Sequence, residues 1–235
     1  MVGPHEVLGM ARLLGIGSTE FNALYTDNGG TTLRNGPAGR CVFVTAAGGC
    51  KVHPRRPLVC RLYPLGRATD GEGDEKYARH PKEEGCEAEL GTDGTIDGFL
   101  ESQGVAPYFE WSCRYGEIYR RVLGLLEALD IQAKVEARGA GEPGEGSGAG
   151  AAAEGREAAS GVAKEADRAP LSTWQDIDAS LADYCAAKGM AVPEGIEAAI
   201  NLHLQAMREW LDDLEAKASG GTAGRDEGDK GEGRA

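Results

Sequence analysis

The chain has 235 residues, with 38 acidic against 25 basic side chains and a net charge of −13. That length allows one domain or two small ones. So acidic a balance excludes general nucleic-acid binding, which is driven by phosphate neutralisation. No run of about 18 apolar residues is present to span a membrane.

The first fifteen residues predict a short helix. Pro4 suits its first turn, Val7, Leu8, Ala11 and Leu14 share a face, and Gly15 can end it. A second helix is expected from Ser18 as cap, with Phe21, Leu24 and Tyr25 inward, ended by Asn28-Gly29-Gly30. A hairpin should follow. Cys41–Thr45 alternates, with Cys41 and Phe43 on one face, Ala46-Ala47-Gly48-Gly49 turns, and Cys50–His53 returns. Pro54 and Pro57 then stiffen the chain before Cys60.

Residues 66–106 read as loop-rich. From Pro107 a long amphipathic helix is predicted, with an apolar stripe of Tyr108, Trp111, Tyr115, Ile118, Tyr119, Val122, Leu125, Leu126 and Leu129. Residues 139–170 are Gly-, Ala- and Glu-rich and should form a disordered linker, as should the tail 219–235. Between them a helical hairpin is expected over 171–218. Its first arm ends at Gly189, and its second starts near Pro193 with Ile196, Ile200, Leu204, Met207, Leu211 and Leu214 inward. Its natural partner is the helix from Pro107. The fold class is therefore mainly α, with a small cysteine-bearing β-hairpin and irregular loops. Domain boundaries fall at 1–138, 139–170, 171–218 and 219–235.

The chemistry concentrates between Asp27 and Asp70. No acid occurs there, yet Arg34, Arg40, Lys51, Arg55, Arg56, Arg61 and Arg67 do, beside Cys41, Cys50 and Cys60. Cations favour thiolates, and thiolates bind metal. Without a signal-peptide pattern the chain is expected in the cytoplasm, where six cysteines are ligands, redox groups or core residues rather than disulfides. Cys41, Cys50 and Cys60 are the candidate ligands, against a bland reading as buried small hydrophobes. Cys86 is a further candidate, opposed by the neighbouring Glu83, Glu84, Glu87 and Glu89. Cys113 and Cys185 read as structural, and His53 as a loop histidine or second donor. Arg56 and Arg61 are candidate residues for holding an anionic centre, or a small phosphate patch.

These residues resemble the YkgJ-like cysteine-cluster family of zinc- or iron-chelating proteins, also described as iron–sulfur oxidoreductases. The matching elements are Cys41-Val42-Phe43-Val44, Gly49-Cys50-Lys51-Val52-His53 and, most specific, Arg56-Pro57-Leu58-Val59-Cys60-Arg61-Leu62-Tyr63-Pro64. Pro4-His5-Glu6-Val7 and Glu20-Phe21 fit as well. The resemblance covers roughly residues 1–115. The family's opening C-x2-C-x2-CC cluster is missing before the first helix, so a start at an internal methionine is expected. The resemblance implies a metal centre, preferably iron–sulfur, with a redox or electron-transfer role and a redox or protein partner. The rival expectations are a non-catalytic zinc-binding interaction module and a metal-free thiol sensor activated by the cations.

Overall fold

In the computed structural model of the chain, the residues described are 1–69, 74–81, 91, 93–139 and 174–220. The architecture is mainly helical, with two small two-stranded antiparallel sheets. Pro4 opens helix α1 (Pro4–Leu14), and Gly15 closes it at φ 74°, a left-handed position that favours glycine. Helix α2 (Ser18–Tyr25) follows. Phe21 is fully buried in it, whereas Leu24 is exposed rather than inward. Strands β1 (Thr26–Asp27) and β2 (Thr32–Leu33) pair across the Asn28–Gly30 turn.

Helix α3 (Leu58–Leu62) is a single turn and a half. Beyond it lies an element that the loop reading of 66–106 missed. Strand β3 (Leu65–Thr69) pairs with β4 (Glu75–Arg79), Arg67 opposite Tyr77. Arg67 is bound to the Glu75 carboxylate and lies over the Phe109 ring at 4.4 Å. Polar cross-strand partners hold this hairpin, so no apolar alternation announces it. Helix α4 (Ile96–Ser102) is capped by Thr95, whose hydroxyl accepts from Gly98 N–H at 3.1 Å. The long helix α5 (Ala106–Gly139), α6 (Ile177–Lys188) and α7 (Ile196–Gly220) complete the described elements. On α5 the buried stripe is Tyr108, Trp111, Tyr115, Ile118 and Val122; Tyr119 and Leu126 face outward.

The chain divides into two compact units, residues 1–116 with 171–206, and residues 117–170 with 207–235. The first arm of the C-terminal hairpin thus belongs with the N-terminal helices. Its docking is polar and specific. Ser18 is fully buried; its hydroxyl donates to Asp176 Oδ1 at 2.5 Å and accepts from Asp178 N–H at 3.0 Å. Asp178 Oδ2 accepts from Ser18 N–H at 2.6 Å and from Arg12 Nη1 at 2.9 Å. Each helix start supplies what the other lacks, because the first N–H groups of a helix have no partner within it. Asp176 also caps α6 through Ala179 N–H. Farther along, α7 meets α5, as expected, through Tyr115 and His203, whose hydroxyl and Nδ1 are 2.9 Å apart. In the other unit Arg121 is clamped by Asp212 and Glu215. The expected linker and tail lie, apart from their first residues, outside the described residues.

Two apolar centres organise the first unit. Val7, Met10, Ala11, Phe21, Phe43 and Val52 form one, under the cysteine-bearing loops. The other surrounds His5. Its ring stacks on Tyr115 with centroids 5.5 Å apart and lies 5.7 Å from Trp111. His5 is 4% exposed and neither ring nitrogen has a partner; His203 Nε2 is also unpaired. Burial pulls the pKa of each histidine down to about 4.

Because these folded-state values lie below the unfolded value, the unfolded chain binds the protons more readily. Stability is therefore full above about pH 6.5 and is lost toward pH 4, by up to about 3 kcal/mol for each ring. Glu6 works in the opposite sense, since its pKa is raised by burial. We expect His5→Phe to raise stability at pH 7 by about 1 kcal/mol, by removing two buried unsatisfied nitrogens. The gap between variant and parent should widen as the pH falls to 4, read by urea denaturation at each pH. Ser18→Ala should cost about 2 kcal/mol in the same assay. An unchanged midpoint would contradict the interlocked helix starts.

Candidate functional site

The cysteine segment is built on two anchors. Phe43 is 1% exposed and packs on Tyr25 at 5.0 Å and Phe21 at 5.8 Å between centroids; Val52 is equally buried. Between them the chain doubles back. Thr45 N–H donates to Gly49 O at 2.8 Å, Lys51 N–H to Phe43 O at 2.9 Å, and Val44 bridges Cys50. Gly48 takes φ 81° within this turn. The expected hairpin is thus present, shortened to one bridged pair.

Its facing differs from the alternation read in the sequence. Cys41 opposes Asn35, not Cys50, and a tight turn joins Cys41 O to Val44 N–H at 3.0 Å. That turn breaks the period of two, so Phe43 goes inward while Cys41 is exposed. Cys50 is half-buried, and Cys60 stands exposed on α3.

Helix α3 is held in place by one carboxylate. Glu6, 5% exposed, accepts from Gly3 N–H at 2.8 Å and from Leu58 N–H at 2.6 Å. It caps the start of α1 and the start of α3 together. The sequence shows Glu6 three residues after Gly3, a capping spacing, but carries no sign of the second bond.

Arg61 and Arg56, paired in the sequence reading, part company. Arg61 is buried, and its guanidinium donates to Arg56 O, Gln103 O, Pro54 O and the Tyr108 hydroxyl at 2.7–3.1 Å. Four of its five N–H donors go to the scaffold, which makes it a staple of the His53–Arg56 turn. Arg56 bonds to the Gln103 side-chain oxygen and to His53 O and ring. It is the arginine that acts on Cys60.

The three thiols share one locality. The Cys60 thiol is pushed up, first by desolvation, then by the negative neighbours Cys41 and Cys50, with Glu6 adding and Arg56 opposing. The expected cationic activation of a thiol is thereby reversed at Cys60, because partial desolvation of its sulfur, on a residue otherwise at the surface, and two neighbouring thiols outweigh one guanidinium. Among the described residues, no group of three or more His, Cys, Asp or Glu side chains is placed to hold a metal ion. Cys86 lies outside the described residues. Cys185 is buried at 1% exposure, as expected of a core residue. Cys113 is exposed beside Arg67 rather than in the core.

The chain matches no family model, no curated protein and no solved structure. The reading of the site accordingly rests on its own geometry and on the motifs quoted above.

Cys60 should alkylate more slowly at pH 7.5 than an unhindered thiol, since the thiolate is the reactive form. Replacing Cys41 and Cys50 together by Ser should lower the Cys60 pKa and speed the reaction. Arg56→Ala should slow it. The rate against pH, followed by mass spectrometry of the modified peptide, checks all three directions.

Proposed function

We propose that the chain is a cysteine-ligated metal-binding protein, with Cys41, Cys50 and Cys60 as ligands and Cys86 as a further candidate. The observation that supports this reading is that the Cys60 thiol feels both Cys41 and Cys50, the three being delivered by separately anchored turns and a short helix. Protons held on neighbouring thiols are what a metal displaces, so a raised thiol pKa fits an unloaded ligand set. The donor chemistry is all sulfur, which suits iron–sulfur centres and zinc and disfavours hard cations.

An iron–sulfur centre is the preferred occupant, on the resemblance to the YkgJ-like family and on the cation-rich surroundings of an anionic cluster. Such a centre, when bound, accepts and donates an electron. In this chain Glu6 positions α3, Arg61 fixes the turn before it, and Arg56 supplies positive charge at Cys60. Those tasks hold whichever metal binds.

The zinc alternative draws on a different observation. Within residues 34–56 only Phe43 and Val52 are buried apolar side chains, so an ion stapling the turns would add stability that the core does not supply. The module would then serve docking rather than electron transfer.

Purification without oxygen decides between them. Iron with sulfide and a brown colour supports the first reading, and about one colourless zinc the second. Cys41→Ser, Cys50→Ser and Cys60→Ser should each lower metal affinity by at least about tenfold. Cys113→Ser and Cys185→Ser should leave it unchanged. Binding that survives all three ligand substitutions would overturn the proposal.

A further inference from the structure

We infer that the cysteine-bearing segment docks an acidic protein surface, through a set of cations that have no carboxylate partner among the described residues. This goes beyond metal binding and stands on the placement of charge alone. Arg40 precedes Cys41, Lys51 follows Cys50, and Arg55 and Arg56 lie in the turn that leads to Cys60. The ion pairs of the described residues in this segment go elsewhere: Arg34 to Asp27, and Arg67 to Glu75. Arg40, Lys51 and Arg55 are exposed and take part in no ion pair among the described residues, and Arg56 bonds to Gln103 and His53.

Loading a metal does not use this charge up. Three thiolates on a divalent ion leave a net charge of about −1, so four cations keep the segment positive. Val59, next to Cys60, is 61% exposed and adds apolar surface beside these cations.

The chemistry selects among anionic partners. A small anion needs donors converging on one point, whereas these side chains project from three separate turns. A long polyanion would lie across the rest of a chain whose net charge is −13, and be repelled there. A second copy brings that same −13. A local acidic patch on another protein meets these cations without those penalties, and such complementarity chiefly speeds and orients association.

The test titrates the isotope-labelled full chain, metal-free and metal-loaded, with a short poly-glutamate peptide that spans no more than the cation-bearing turns. Inorganic phosphate and single-stranded DNA run in parallel. We expect saturable amide shifts centred on residues 40–56, fading with added salt. The triple variant Arg40→Glu, Lys51→Glu, Arg55→Glu should bind about tenfold more weakly or less. Those side chains are exposed and form no ion pair among the described residues, so an unchanged circular dichroism spectrum is expected of the variant. The inference is overturned by absent or misplaced shifts, by phosphate acting equally well, or by tighter DNA binding. Self-association abolished by the triple variant would also overturn it, in favour of a second copy. A chain that binds no metal yet responds to poly-glutamate removes the metal reading alone; a loaded chain that does not respond removes this one alone.

Discussion

A single buried carboxylate ties the reactive segment to the helical body. Glu6 accepts from the backbone at the start of α1 and at the start of α3. Without it, the short helix bearing Cys60 would lose the partner of its first N–H at a half-buried position. The cost is borne by Glu6 itself, whose pKa rises because burial outweighs its two hydrogen bonds. Arg61 completes the arrangement from the other side, gathering three carbonyl oxygens around the turn before α3. An acid and a base, both buried, thus hold a loop that owns few apolar side chains.

This changes how the cations of the segment are understood. The sequence shows seven of them together, which invites one electrostatic explanation for all. The fold gives them at least three tasks. Arg61 organises backbone, Arg34 and Arg67 close ion pairs with Asp27 and Glu75, and the remainder stay at the surface. Only Arg56 reaches Cys60, and it does not prevail over desolvation and the other two sulfurs. Local charge density in a sequence therefore overstates the field at any one atom, because long side chains carry their charge away from neighbours in the chain.

Much of the fold was legible where one periodicity ran unbroken. Helices α1, α5 and α7 follow from apolar spacing, and the glycine stops at Gly15 and Gly189 follow from their left-handed geometry. The reversal near Gly48 was legible from its turn residues. The rest depended on partners distant in sequence. The β3–β4 hairpin is held by Arg67, Glu75 and Tyr77, which look like loop polarity. The inward turn of Phe43 past Cys41 needed the aromatic cluster with Phe21 and Tyr25. At the site, the spacing of Glu6 after Gly3 was legible as a cap of α1, while its second bond to Leu58 and the contact of Gln103 with Arg56 depended on residues distant in sequence.

The Ser18–Asp178 interlock spans 160 residues of chain. During synthesis α1 and α2 emerge long before α6 exists. At about 5–20 residues per second, the wait is on the order of ten seconds. Throughout that interval Ser18 lacks both aspartates and Arg12 lacks its ion-pair partner, so the start of α2 stays open until the C-terminal third arrives.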